Sequence, residues 1–275
     1  MQAFSDGLRT AGKTIAFVPT MGFLHEGHLS LMRLGRQKAD ALVVSIFVNP
    51  TQFGPGEDFA SYPRNLERDL ALIATVGADA VFTPEAAQVY PNGFETCVSL
   101  EHLPHHLCGL SRPVHFRGVA TVVTKLFHLV KPHLAVFGEK DWQQLQVIRR
   151  LVRDLNMDIT IVGGPIVREP DGLAMSSRNS YLNADQRPAA LSLYRSLIRA
   201  VQMVGSGQTR AADIVAAATA LIGAHEVNRI DYIAVCDPQT LEPMEEITAP
   251  ALMALAVKVG ATRLIDNIML EPAAP

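Results

Sequence analysis

Residues 14–48 constrain this chain more than any other stretch. The apolar run Thr14-Ile15-Ala16-Phe17-Val18 leads into the turn Pro19-Thr20-Met21-Gly22-Phe23-Leu24-His25-Glu26-Gly27-His28. Residues 28–38 then read as a helix, and Ala41-Leu42-Val43-Val44-Ser45-Ile46-Phe47-Val48 is a nearly continuous apolar run rich in branched side chains. Such a run predicts a buried parallel strand. Strand, helix and parallel strand make a βαβ unit with a right-handed crossover. A glycine-bearing turn between strand and helix is where an open α/β sheet binds phosphates. Backbone N–H groups and the positive end of the helix dipole point at the same spot there. His25 and His28 sit inside the turn, and each can donate a hydrogen bond to a phosphate oxygen.

The alternation continues. Residues 65–76 read as a helix with Asn65 as its cap, 80–82 as a short strand, 117–130 as a helix and 133–137 as a strand. A helix over 141–155 and a strand over 158–162 follow. After about residue 180 the pattern changes. Residues 185–204 and 209–223 predict two helices joined by Gly205-Ser206-Gly207, 231–235 a strand, and 252–259 with 262–270 a hairpin around Gly260-Ala261. The expected architecture is a Rossmann-like parallel sheet with helices on both faces over 1–180, and a smaller α+β lid domain over 181–275. The tail 272–275 reads as frayed.

Composition narrows the partners. Lys plus Arg total 24 and Asp plus Glu 27, a net charge of −3 that gives no general electrostatic case for nucleic acid or anionic membranes. No segment approaches the ~20 apolar residues of a membrane span. The first residues carry neither the basic nor the apolar region of a signal peptide. Cys97, Cys108 and Cys236 form no C-x-x-C pair, so the expected compartment is a reducing cytoplasm.

Gly22 and Gly27 have the spacing of a Walker A loop, but His28 stands where Lys is needed. A G-x-G-x-x-G fingerprint is absent from the turn. His25-Glu26-Gly27-His28 instead resembles the HIGH-type signature of nucleotidyltransferases and class I aminoacyl-tRNA synthetases, which cleave ATP between its α- and β-phosphates. Read alone, the four residues also fit a structural pair.

Three further segments bear on the choice. Asn49-Pro50-Thr51-Gln52-Phe53-Gly54 lies just past a predicted buried strand, and Asn49 and Gln52 supply neutral donors and acceptors for a carboxylate, hydroxyl or amine. A plain turn fits the same composition. Gly138-Glu139-Lys140-Asp141-Trp142-Gln143-Gln144 follows the 133–137 strand. Lys140 there is a point charge for phosphate, Asp141 a helix cap or ribose contact, and Gln144 lies on the helical face of Lys140. Gly172-Leu173-Ala174-Met175-Ser176-Ser177-Arg178-Asn179 offers two hydroxyls and an arginine to a triphosphate, and resembles the mobile K-M-S-K-S loop of HIGH-type enzymes.

Together these four segments resemble the pantothenate synthetase family, the pantoate–β-alanine ligases. Tyr62-Pro63-Arg64, Tyr90-Pro91, His115-Phe116-Arg117-Gly118-Val119 and Val167-Arg168-Glu169 agree with it. The resemblance implies condensation of (R)-pantoate with β-alanine, using ATP and Mg²⁺, through a pantoyl adenylate, with AMP and diphosphate released. It implies ATP binding by Met21, Gly22, Phe23, Leu24, His25, Glu26, Gly27 and His28, with His28 as proton donor and His25 beside it at the phosphates. Gly138, Glu139, Lys140 and Asp141 would line the nucleotide, and Val167 would offer its backbone to adenine. Met175, Ser176, Ser177 and Arg178 would close over the phosphates. Gln52 would contact pantoate and β-alanine, Gln144 would contact pantoate, and Asp69 would contact Mg²⁺. A homodimer is implied by the resemblance alone.

Departures from the family pattern also stand out. The stretch before Lys13 is short, Arg68 replaces an expected acidic residue beside Asp69, and Trp142 stands where Tyr or Phe is usual. His102, His105, His106 and Cys108 have the look of a metal cluster, but Pro104 interrupts them and a surface segment is expected. The rival reading is a nucleotidyltransferase of the same superfamily acting on a phosphate ester. A silent nucleotide-binding scaffold is the other, against which the complete His25, His28, Lys140, Ser176, Ser177 and Arg178 set argues.

Overall fold

A computed structural model describes residues 1–272. The tail expected to fray falls, beyond Pro272, outside the described residues. The chain forms two compact units. One comprises Met1–Pro104, Arg112–Glu139 and Gln144–Val167, the other His105–Ser111, Lys140–Gln143 and the chain from Arg168 onward.

The first unit runs α1 (Gln2–Thr10), β1 (Ile15–Thr20), α2 (Glu26–Lys38), β2 (Ala41–Ile46), α3 (Leu66–Ala74), β3 (Ala80–Phe82) and the short α4 (Ala86–Val89). The short α5 (Cys108–Ser111), which belongs to the second unit, precedes α6 (His115–Val130), β4 (Leu134–Gly138), α7 (Trp142–Asp154, its first two residues in the second unit) and β5 (Thr160–Gly164). Strand order is β3-β2-β1-β4-β5, and every pairing is parallel. The order reverses direction between β1 and β4, which makes their carboxyl ends a topological switch point, where open sheets bind ligands.

The sheet has an apolar layer on each face. Ile15, Phe17 and Val43 pack with α6 and α7 through Val119, Val123, Phe127 and Ile148. Ala16, Val18, Leu42 and Val44 pack with Leu29 and Met32 of α2 and Ile73 of α3. That alternation is the period-2 geometry of a strand buried on both sides. Arg36 and Lys38 in the last turn of α2 complement its dipole. Asn65 caps α3 as expected, accepting the Arg68 N–H at 3.1 Å.

Two local differences have physical reasons. Residues 2–10 form a helix that composition did not announce; Met1 and Leu8 pack onto the α6-side layer, so tertiary burial stabilises it. The strand expected over 158–162 lies at 160–164 and includes Gly163 and Gly164. Those glycines look like a turn, but they admit neighbours: a Cβ on Gly163 would lie 2.7 Å from Glu139 Oε1, and one on Gly164 would collide with Leu31.

In the second unit, α8 (Arg187–Gly205) and α9 (Ala211–Gly223) pack on a three-stranded antiparallel sheet, β6 (Asn228–Cys236), β7 (Ala251–Val259) and β8 (Thr262–Leu270). The β7–β8 hairpin pairs without a register shift from Ala251 with Leu270 to Val259 with Thr262. Among the described residues no helix is long and apolar enough to cross a membrane.

Candidate active site

After β1 the chain reverses through two left-handed residues, Gly22 (φ 81°) and Phe23 (φ 49°). This aims the amides of Phe23 and Leu24 at Asp69 of α3, whose two oxygens accept them at 2.7 and 2.8 Å. Asp69 is 1% exposed. Gly22 is required by its φ and by space, since a Cβ would sit 3.0 Å from both Asp69 Oδ2 and Ile46. Arg68 donates to the Leu24 carbonyl at 3.0 Å, and its guanidinium lies 5.4 Å from the centre of the Phe23 ring. The arginine that departed from the family pattern is therefore a clamp on the turn.

The turn delivers His25 as the extended cap of α2 (φ −140°, ψ 175°). The His25 N–H donates to His28 Nδ1 at 3.3 Å, with the two rings 4.0 Å apart. With Nδ1 accepting, a neutral His28 carries its proton on Nε2. Glu26 pairs with Arg33 further along α2. That hydrogen bond, opposed by burial and aided by the guanidinium charge, holds the Glu26 carboxyl below its usual range.

Beyond β2, Asn49 is 1% exposed and fully engaged within the protein. Its Oδ1 accepts the Tyr90 hydroxyl at 2.8 Å and the Thr51 hydroxyl at 3.0 Å. Its Nδ2 donates to Gln52 Oε1 at 3.0 Å and to the Gly118 carbonyl at 3.2 Å. Burial raises the Tyr90 hydroxyl above its ordinary pKa despite the Thr51 bond, so it stays a donor at neutral pH. Gln52 has its Oε1 fixed by Asn49 and its Nε2 against Met21 Sδ at 3.3 Å, a weak acceptor. The Gln52 carbonyl meets His115 Nδ1 at 3.0 Å and accepts from Arg112 at 3.3 Å. Arg112 in turn grips Glu57 at 2.8 and 2.6 Å. Burial of Glu57 works to raise its pKa, but the Arg112 hydrogen bonds and charge outweigh it, and the carboxyl titrates below its usual range. α6 presses on this turn at Gly118, where a Cβ would stand 2.6 Å from the Gln52 nitrogen.

Past β4, Glu139–Asp141 form a 3-10 turn and α7 starts at Trp142. Lys140 therefore lies in the 3-10 turn that precedes the α-helix carrying Gln144. The Lys140 carbonyl accepts from Asn267 Nδ2 at 2.9 Å. Trp142, the other departure noted, donates its indole N–H to the Pro238 carbonyl at 2.7 Å. Gln144 is half-buried, while its neighbour Gln143 is buried and holds the His106 carbonyl (2.7 Å) and the Cys108 amide (3.0 Å). Among the described residues no three His, Cys, Asp or Glu side chains could hold a metal. In the histidine-rich segment His102 and His105 are exposed and His106 lies 3.5 Å from Glu242.

Val167 is half-buried at the end of the first unit, and the serine–arginine loop follows in the second. Gly172 has φ 100°, and a Cβ there would run into the Tyr194 ring. Arg168 donates to the Gly172 carbonyl at 3.1 Å, stacks 4.2 Å over Tyr194 and grips Asp266 at 2.6 and 2.9 Å. Asn179 ties Glu169 (2.6 Å) to the Ala174 carbonyl (3.0 Å), and Arg187 pairs with Glu169 and Asp171. Within this frame Ser176 Oγ accepts the Arg178 N–H at 3.3 Å and caps the turn Ser177–Tyr181. Met175, Ser176 and Arg178 are half-buried and Ser177 is buried.

The structure thus joins Met21, Asn49 and Gln52 in one cluster and ties the Phe23–Leu24 backbone to Asp69. Residues that sequence reasoning did not single out for the site include Arg112, Arg168, Asp266 and Asn267. Arg112 precedes a quoted segment and Arg168 sits inside one, so proximity was the only signal. Asp266 and Asn267 had none, because their partners lie 98 and 127 residues away.

The family model for pantoate-beta-alanine ligase matches residues 1–269. A pantothenate synthetase of Desulfatibacillum aliphaticivorans is 60% identical over 272 residues, covering 99% of this chain and 97% of that protein. One from Geobacter sulfurreducens is 58% identical, covering 98% and 95%. The crystal structure of pantothenate synthetase from Thermus thermophilus aligns with a TM-score of 0.93 at 46% identity, covering 98% of both chains. A pantoate-beta-alanine ligase from Francisella tularensis, complexed with beta-gamma ATP and β-alanine, aligns with a TM-score of 0.79 at 33% identity, covering 97% and 94%.

Proposed function

The chain belongs to the pantoate–β-alanine ligase family, and from that premise we propose how its residues divide the work. The enzyme condenses (R)-pantoate with β-alanine, converting ATP to AMP and diphosphate through a pantoyl adenylate. In the first step a pantoate carboxylate oxygen attacks the α-phosphorus and diphosphate leaves. In the second the neutral amine of β-alanine attacks the acyl carbon and AMP leaves. Both steps use substrate nucleophiles, so the protein has to align reactants, stabilise phosphate charge and exclude water from the mixed anhydride.

His28 serves the first step. Its Nδ1 accepts the His25 N–H, so its Nε2–H is the donor for phosphate oxygen, at the positive end of α2. That hydrogen bond is the observation that carries the mechanism. His25, Lys140, Ser176, Ser177 and Arg178 add donors to the phosphates. The amides of Met21, Gly22 and Gly27, the Gly138–Asp141 turn and the Val167 backbone bind the rest of the nucleotide. Gln52 offers an Nε2 proton to pantoate and β-alanine, and Gln144 contacts pantoate. Asn49 acts on Gln52 and not on substrate, because its own polar atoms are engaged.

Mg²⁺ enters, in this reading, as part of the ATP substrate and is held by phosphate oxygens. Asp69 does not fit an open metal ligand, since both oxygens accept backbone amides and the residue is 1% exposed. We also place the enzyme in the cytoplasm as a homodimer; the three unpaired cysteines agree with a reducing compartment. Light scattering in solution tests the dimer.

The decisive assay follows AMP release with each acid omitted in turn. AMP formation that requires pantoate, with pantothenate appearing only when β-alanine is added, is the expected result. ATP turnover indifferent to pantoate, or transfer of the nucleotide to a phosphate ester, would overturn the reading.

A further inference from the structure

The last strand of the second unit holds two of the phosphate-binding segments at once. Asp266 and Asn267 are adjacent on β8 and are 3% and 5% exposed. Successive side chains of a strand point to opposite faces. Leu264, Ile268 and Leu270, in phase with Asp266, belong to the layer against α8 and α9. On that side Asp266 takes Arg168 in a two-pronged bond at 2.6 and 2.9 Å, and Arg168 holds the Gly172 carbonyl at the base of the Met175–Arg178 loop. Arg168 also bridges in backbone register with Ala174, and the Asp266 carboxylate accepts its neighbour's N–H at 2.8 Å. Asn267, out of phase, donates to the Lys140 carbonyl at 2.9 Å.

We propose that Asp266 and Asn267 are positioning residues for adenylate formation, setting the Lys140 segment and the Ser176–Arg178 loop in register on one strand. Two cations on separate loops stabilise a phosphate in the transition state only if their spacing is held before the reaction starts. Here the spacing is referred to neighbouring residues of a hydrogen-bonded hairpin, a stiffer ruler than either loop. The buried Asp266 and Asn267 side chains stand between Ile265 and Ile268 and have no packing advantage there, and their bonds run to loop backbone and to Arg168. The proposal rests on the reading that Lys140 and Arg178 bind ATP phosphates.

The test is steady-state kinetics of the full-length enzyme with Asn267→Ala and Asp266→Asn, alone and combined with Lys140→Ala. Asn267→Ala is expected to lower kcat/KM for ATP by about tenfold, the scale of one lost positioning hydrogen bond, and to leave the KM for pantoate unchanged. In the Lys140→Ala background it is expected to add nothing, because residues acting through one another are non-additive. Thermal melting of each variant separates folding from positioning, and Asn267→Ala stands alone if Asp266→Asn does not fold. Independent, additive losses, or equal shifts in the ATP and pantoate parameters, would overturn the proposal. If Lys140→Ala and Arg178→Ala both leave ATP kinetics intact, the underlying assignment fails, and the proposal with it. A loss in those two variants with normal Asn267→Ala kinetics refutes the positioning role alone.

Discussion

The histidine turn and the serine–arginine loop are assigned to the same phosphates, yet they are held in different ways. The turn at residues 22–24 hangs on backbone amides given to one buried carboxylate, Asp69, and on left-handed backbone at Gly22 and Phe23. The loop at 172–179 is framed by side-chain ion pairs, Arg168 with Asp266 and Arg187 with Glu169 and Asp171. Buried amide-to-carboxylate bonds resist salt, as does the Arg168 pair with its buried Asp266; the Arg187 pairs, between partly exposed charges, weaken as ionic strength rises. The first region is thus set by the fold, and the second is tunable by solution conditions through its Arg187 pairs.

Changes at the chemistry itself should have the largest effect. On the proposed reading His28→Ala removes a donor to the transition state, so adenylate formation should fall ~10²-fold or more. Single-turnover AMP assays measure this, and full activity in a folded variant would remove His28 from the mechanism. Next comes the turn's anchor. Asp69→Asn replaces one acceptor by a donor facing an amide, so stability should fall by about 1–3 kcal/mol. Activity should drop with it, and excess Mg²⁺ should not restore it. Rescue by Mg²⁺ in a titration would return Asp69 to the metal.

Arg187→Ala probes the other region. Its pairs are partly exposed, so a destabilisation of about 1 kcal/mol or less is expected, with a few-fold rise in the KM for ATP. The gap between variant and parent should close near 1 M salt, where the screening length is about 3 Å; a gap indifferent to salt would break the contrast drawn above. The smallest effect is titration. Burial would raise the Asp171 pKa, but the Arg187 hydrogen bonds and charge lower it from 3.8. A depressed folded value means that Asp171 stabilises the loop fully above pH 3.8 and loses that contribution as pH falls through the folded value. Acid denaturation of Asp171→Asn should therefore lack a small component below that pH.

Local pattern made much of the molecule legible. The βαβ alternation, the Asn65 cap and the β7–β8 hairpin all follow from periodicity and turn chemistry within a few residues. The histidine turn was legible because glycine, histidine and a strand end lie together in sequence. What stayed hidden was long-range pairing. Arg68 looked like an intrusion until its contacts with Leu24 and Phe23 were visible, 44 residues away in the case of the Leu24 carbonyl. Asn49 read as a substrate contact because composition reports which atoms can bond; Tyr90, 41 residues on, already occupies it.

The bare backbone of Gly118 matters to anyone who would redesign the enzyme for a bulkier acid. The turn that presents Gln52 has its back against a helix with no side chain left to trim. Room for a new substrate cannot come from moving that turn away. It has to come from the front, by shortening Gln52, which on the proposed reading ties any gain in substrate breadth to loss of a contact with the natural acid.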